Sequence, residues 1–126
     1  MATVKTYPSR FESEKDFLEY QSRQKNLCQE LETAIKVEIK NQYDIDADSC
    51  CKIWQDGEGY WHLICNDAFR ITPIGNKSMY EVYMRIRRRS DDVFATWFSF
   101  SNQLCLVRML IGNIYAVRSY PLPYVE

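Results

Sequence analysis

The sequence predicts an α+β domain: a long N-terminal helix packed on an antiparallel β-meander of about five strands, with a short C-terminal helix or hairpin. Three observations predict it. From Ser9 to Lys40 the chain has no Gly or Pro and repeats apolar residues at three- and four-residue intervals. Most of its 9 Tyr, 6 Phe and 3 Trp come after that stretch, in runs that alternate in polarity. Short turns containing Gly, Asn or Asp separate those runs. At 126 residues and 46% hydrophobic content, residues 1–126 read as a single domain able to bury a core.

Residues 1–8 read as an N-terminal tether ended by Tyr7-Pro8. Ser9 followed by Glu12 has the form of a capping box, and Ser13 with Asp16 offers a second helix start. Phe17, Tyr20, Gln24, Leu27, Leu31 and Ala34 then mark one stripe, widened by Cys28, Ile35 and Ile39. Glu19 before Arg23 and Glu32 before Lys36 have the favourable order for pairing on the wet face. The end of the helix is less sharply marked, because Lys36–Lys40 also alternates like a strand.

Beyond it, Asp44, Asp46 and Asp48 share the spacing of a calcium loop's opening. Ser49 and Gln55 stand where that loop needs Gly and Glu, so the segment reads as a solvated acidic turn. Cys50–Gln55 and Tyr60–Cys65 flank Asp56-Gly57-Glu58-Gly59, which predicts a hairpin through a two-residue turn. That register sets Trp54 opposite Trp61, Ile53 opposite His62 and Cys50 opposite Cys65. Ala68–Pro73 is a third strand and Met79–Arg89 a fourth. Ser90-Asp91-Asp92 leads into a fifth, Val93–Phe100, with Met84 facing Phe98 and Arg85 facing Trp97. Gln103–Ile111 reads as a helix capped by Ser101 or Asn102, or as a strand turning through Gly112-Asn113; its Leu, Met, Cys and Arg favour the helix. Residues 120–126, around Pro121-Leu122-Pro123, form an extended tail.

The sharpest chemical signal is Met84-Arg85-Ile86-Arg87-Arg88-Arg89. In a strand, Tyr83, Arg85, Arg87 and Arg89 share one face, which the expected pairing joins to Trp97. Guanidinium forks bind carboxylates and phosphates bidentately. Tyr83, Arg85, Arg87, Arg89 and Trp97 are therefore the candidate contact residues for an acidic protein partner, with RNA or single-stranded DNA as the second reading. The bland counterpart is a solvated face whose arginines pair with Glu81, Asp91 or Asp92.

Other chemistry is weaker. His62 is the single histidine, and the two-residue turn would set it one diagonal from Cys51, a thiol–imidazole pair on which a small-ligand site or enzyme would centre. No third orienting group or oxyanion donor stands at a recognisable spacing, so no enzyme is expected. The 5 cysteines include no CxxC, and alternation splits Cys50 and Cys65 from Cys51 and His62, against a metal site. No cofactor is expected, because the 4 glycines serve turns and form no phosphate loop. Under oxidising conditions Cys50 and Cys65 would be the pair to form a disulfide.

The net charge of −1 hides a split. Residues 1–58 hold 8 basic and 12 acidic side chains, and residues 59–126 hold 8 and 5. Two faces with separate tasks, or a homodimer joining acidic front to basic back, are both compatible with it. Met1–Arg10 runs into a charged stretch, unlike a secretory leader, and no 18-residue apolar run exists. With reduced thiols as the default, the expected setting is cytoplasmic, away from membranes.

Overall fold

The computed structural model describes residues 7–44, 46, 51–66, 68–74, 79–87 and 92–112, with 85–87 and 92–98 described by backbone alone. Helix α1 spans Glu14–Tyr43. Of the two starts written in the sequence it uses the second: Ser13 is extended and its Oγ accepts from Asp16 N–H at 3.1 Å. Asp44 ends it in the left-handed region at φ 53°, with its N–H bonded to Lys40 C=O. Phe17, Tyr20, Gln24, Cys28, Leu31, Ile35 and Ile39 are buried along one face. Leu27 and Ala34, expected in the same stripe, lie on its half-buried flank. Glu32 and Lys36 pair at 3.6 Å as their spacing predicts.

Five strands follow: β1 Cys51–Gln55, β2 Trp61–Cys65, β3 Phe69–Ile74, β4 Met79–Arg87 and β5 Asp92–Phe100. They form one antiparallel sheet in chain order, a simple meander. Helix α2, Gln103–Ile111, completes the fold; Asn102 caps it by accepting from Cys105 N–H at 3.1 Å. The α+β architecture and the helical reading of 103–111 both hold.

Alternation divides the sheet into two faces. Leu63, Cys65, Phe69, Ile71, Tyr80 and Val82 pack with Cys28, Leu31, Ile35 and Ile39 of α1 and with Leu106, Val107, Leu110 and Ile111 of α2. Lys52, Trp54, His62, Ile64, Arg70, Thr72, Glu81 and Tyr83 alternate onto the other face. Among the described residues neither helix packs on this second face.

The first hairpin departs from expectation. Its turn has three residues, Gly57-Glu58-Gly59, and the ladder closes on Asp56 N–H donating to Tyr60 C=O at 2.9 Å. Asp56 causes this: its Oδ1 accepts from the N–H groups of Glu58 and Tyr60, and Gly59 takes φ +96°, where a side chain would be strained. One added turn residue moves every cross-strand neighbour by one. Trp54 therefore opposes His62, Ile53 opposes Leu63 and Cys51 opposes Cys65, in place of the Trp54–Trp61, Ile53–His62 and Cys50–Cys65 pairs. Cys50 itself lies outside the described residues.

The last hairpin is corrected too. Val82 pairs with Phe98 and Tyr83 with Thr96, so Trp97 is the extra residue of a β-bulge. Met84 then faces Ala95 and Arg85 faces Phe94, in place of Phe98 and Trp97.

Candidate functional site

The site grows from a local conflict in the sheet. Pro73 lies inside β3 yet has no N–H to give to a ladder, and the β2–β3 pairing runs only from Cys65↔Phe69 to Leu63↔Ile71. The next hydrogen-bonded pair, two residues on, would be Trp61 with Pro73. There the side-chain amide of Gln24 steps between the strands: Oε1 accepts from Trp61 N–H at 3.0 Å and Nε2 donates to Pro73 C=O at 2.8 Å. Gln24 is fully buried, and its amide stands in for a peptide group. Its neighbour Gln21 donates to Gly59 C=O at 2.9 Å, so α1 holds both the parted strands and the turn.

Where β2 and β3 part, a cleft of about 280 Å³ opens, lined among others by Arg10, Tyr60, His62, Arg70, Thr72 and Tyr83. His62 is 5% exposed and fully engaged. Its Nε2 lies 2.7 Å from Asp56 Oδ2 and its Nδ1 2.7 Å from Thr72 Oγ1. A carboxylate can only accept, so Nε2 carries the proton and Nδ1 accepts from the threonine hydroxyl. Burial lowers the proton affinity of His62, against the opposing pull of Asp56, and leaves the ring neutral at neutral pH. Burial also works to raise Asp56, but its hydrogen bonds from His62 and from the Tyr60 and Glu58 N–H groups outweigh this and hold it below its ordinary value.

Aromatic rings and guanidinium groups meet around the cleft. Arg10 lies 4.9 Å from the Phe11 ring centre and 5.1 Å from those of Tyr20 and Tyr60. Arg70 stacks on Tyr83 at 4.4 Å, and Tyr83 O–H donates to Glu81 at 2.6 Å. Trp54, 41% exposed, lies over His62 with ring centres 5.2 Å apart. Guanidinium–ring contacts of this kind contribute about 0.5–2 kcal/mol each and orient the cation.

Of the candidate contact residues, Tyr83 lines this cleft. Arg85 and Arg87 continue its alternation along the β4 backbone, beside Phe94 and Asp92. Trp97 sits at the bulge, and Arg89 lies outside the described residues. The thiol–imidazole pair does not form: Cys51 opposes Cys65 on the α1 side of the sheet, while His62 belongs to the other face. Trp61, expected opposite Trp54, instead takes Lys25 of α1 at 4.9 Å from its ring centre. Among the described residues no cluster of three or more His, Cys, Asp or Glu is placed to hold a metal. Asp44 and Asp46 both pair with Lys40, at 2.9 and 3.6 Å, as an acidic turn would. Asp48 lies outside the described residues.

Sequence reasoning missed Arg10, Arg70 and the bridging role of Gln24. Gln24 did leave a signal, a polar residue within the apolar stripe of α1. Pro73 left another, inside a strand. No helix among the described residues is long and apolar enough to cross a membrane. No family model, curated protein or solved structure matches this chain.

Proposed function

We propose that this protein acts without catalysis, by binding an acidic segment of a partner protein along the sheet face turned away from α1. The contact set is Tyr83, Arg85, Arg87, Arg89 and Trp97, extended by Arg70 and Trp54. One observation carries the reading: on this face, over which neither helix packs among the described residues, the described carboxylates are already engaged. Glu81 holds the Tyr83 hydroxyl and Asp56 holds His62. Lys52 and the stacked Arg70 share the face, and the β4 backbone carries Arg85 and Arg87 onward from it. Cations held by aromatic rings suit an acidic, partly apolar segment, because the rings supply apolar contact and the forks take carboxylates. A cytoplasmic setting, with its cysteines reduced, fits an adaptor or regulator of this kind.

A direct titration tests it. A fluorescent peptide rich in Glu and Phe, followed by anisotropy, is expected to bind the wild type and to lose about tenfold or more in affinity when Arg85, Arg87 and Arg89 all become Glu. Equal binding by both proteins would remove the arginines from the contact. A single-stranded oligonucleotide serves as the second arm. If it binds more tightly than the peptide, with a steep salt dependence that the triple reversal flattens, the partner is nucleic acid.

A further inference from the structure

The three-residue turn decides which cysteine meets Cys65, and in what kind of pair. Asp56 N–H to Tyr60 C=O is a ladder bond, and hydrogen-bonded and non-hydrogen-bonded pairs alternate from there. Gln55/Trp61 is then non-bonded and Trp54/His62 bonded; Ile53/Leu63 is non-bonded and Lys52/Ile64 bonded. Cys51/Cys65 falls on a non-bonded position. Such positions bring opposing Cα atoms to about 4.5 Å, within the roughly 4.4–6.8 Å that a disulfide spans. The sulfur atoms agree, standing 3.9 Å apart as thiols. A side-chain rotation that closes the gap by about 1.9 Å makes the bond, with no change of register.

We infer that Cys51 and Cys65 are a thiol–disulfide modification site, oxidised by small-molecule disulfides such as oxidised glutathione. Cys51 is half-buried at the sheet edge and Cys65 has no exposed surface, so Cys51 meets the oxidant first. Its thiolate attacks one sulfur of the small disulfide, forming a mixed disulfide and releasing one small thiolate. The thiolate of Cys65 then attacks the Cys51 sulfur, closing the protein disulfide and releasing the second small thiolate. The two protons given up by the cysteines end on the two small thiols, and the two electrons reduce the oxidant. Cys28 does not compete: burial, with Glu32 adding to it, pushes its thiol up to about 12. The bond fastens β1, which carries Trp54 of the second sheet face, to β2.

The full-length folded chain, incubated with excess oxidised glutathione, alkylated and weighed by mass spectrometry, tests this. Wild type, Cys50→Ser and Cys105→Ser are each expected to lose two hydrogens to one internal disulfide that shields two cysteines from alkylation, with any retained glutathione confined to cysteines outside the 51–65 pair, such as the exposed Cys105 where it is present. Peptide mapping of Cys50→Ser then finds the 51–65 link, in a background where Cys50 cannot supply it. Cys51→Ser loses the link, and Cys65→Ser stops at a glutathione adduct on Cys51. Loss of the link in Cys50→Ser, its survival in Cys51→Ser, or full alkylation of the oxidant-treated wild type would overturn the assignment. The wild-type and Cys50→Ser results are decisive even if the buried Cys65 variant folds poorly.

Discussion

His62 is held between two partners, Asp56 and Thr72, and its state follows from them. Its affinity for protons is depressed by burial below the ordinary value of 6.5, so between that value and its folded value the unfolded chain takes up the extra proton. Stability therefore falls as pH drops below about 6.5. Asp56 is also depressed from its ordinary 3.8, so its contribution is present above that value and is lost as pH falls through the folded one. Both act in one direction, toward acid instability. Urea midpoints at pH 7.5 and pH 5 are expected to differ in the wild type and to differ less in His62→Gln; equal pH dependence in both proteins would contradict this account. The pairing was not legible in the sequence, because the two-residue turn sets His62 opposite Ile53 and hides its relation to Asp56. Ser13 was legible, since a cap needs only local chemistry.

Among the elements, α1 and the meander were legible because period and turn residues repeat along the chain, whereas registers depend on a single residue's conformation. Asp56 accepts from two N–H groups of the turn, and this favours three residues over two. Gly59 is the residue that makes it feasible. A Cβ there would sit at φ +96° and run into the side-chain amide of Gln21. Gly59→Ala is expected to cost about 1–3 kcal/mol, while Gly57→Ala, which meets open space, stays within about 0.5 kcal/mol. Denaturant unfolding of the two variants side by side checks it, and equal midpoints would remove the special role of Gly59. The bulge at Trp97 was beyond sequence reasoning for the same reason: two alternating runs fit several registers equally well, and one extra residue changes which side chains meet.

For the molecule as a whole, the core is one helix laid on one sheet face and closed by α2. Leu31 has no exposed surface and lies in the middle of that contact, while Leu18 of the same helix is 56% exposed. Leu31→Ala is expected to cost about 2–5 kcal/mol, and Leu18→Ala no more than about 0.5 kcal/mol. Comparable losses from both, measured by urea denaturation, would mean that the helix is turned differently on the sheet. Aliphatic contact alone fixes such a docking weakly, since attraction between hydrocarbon surfaces has no preferred direction. Gln24 supplies the direction. Its amide works as an alignment key: a glutamate there would have nothing to donate to Pro73, and an asparagine would fall one methylene short. Sliding α1 by a single turn would take the amide away from both backbone groups, Trp61 N–H and Pro73 C=O. The aliphatic contacts around the key supply adhesion, while the angle and offset of the helix are set by directional bonds, those of Gln24 with that of Gln21 to Gly59 beside them.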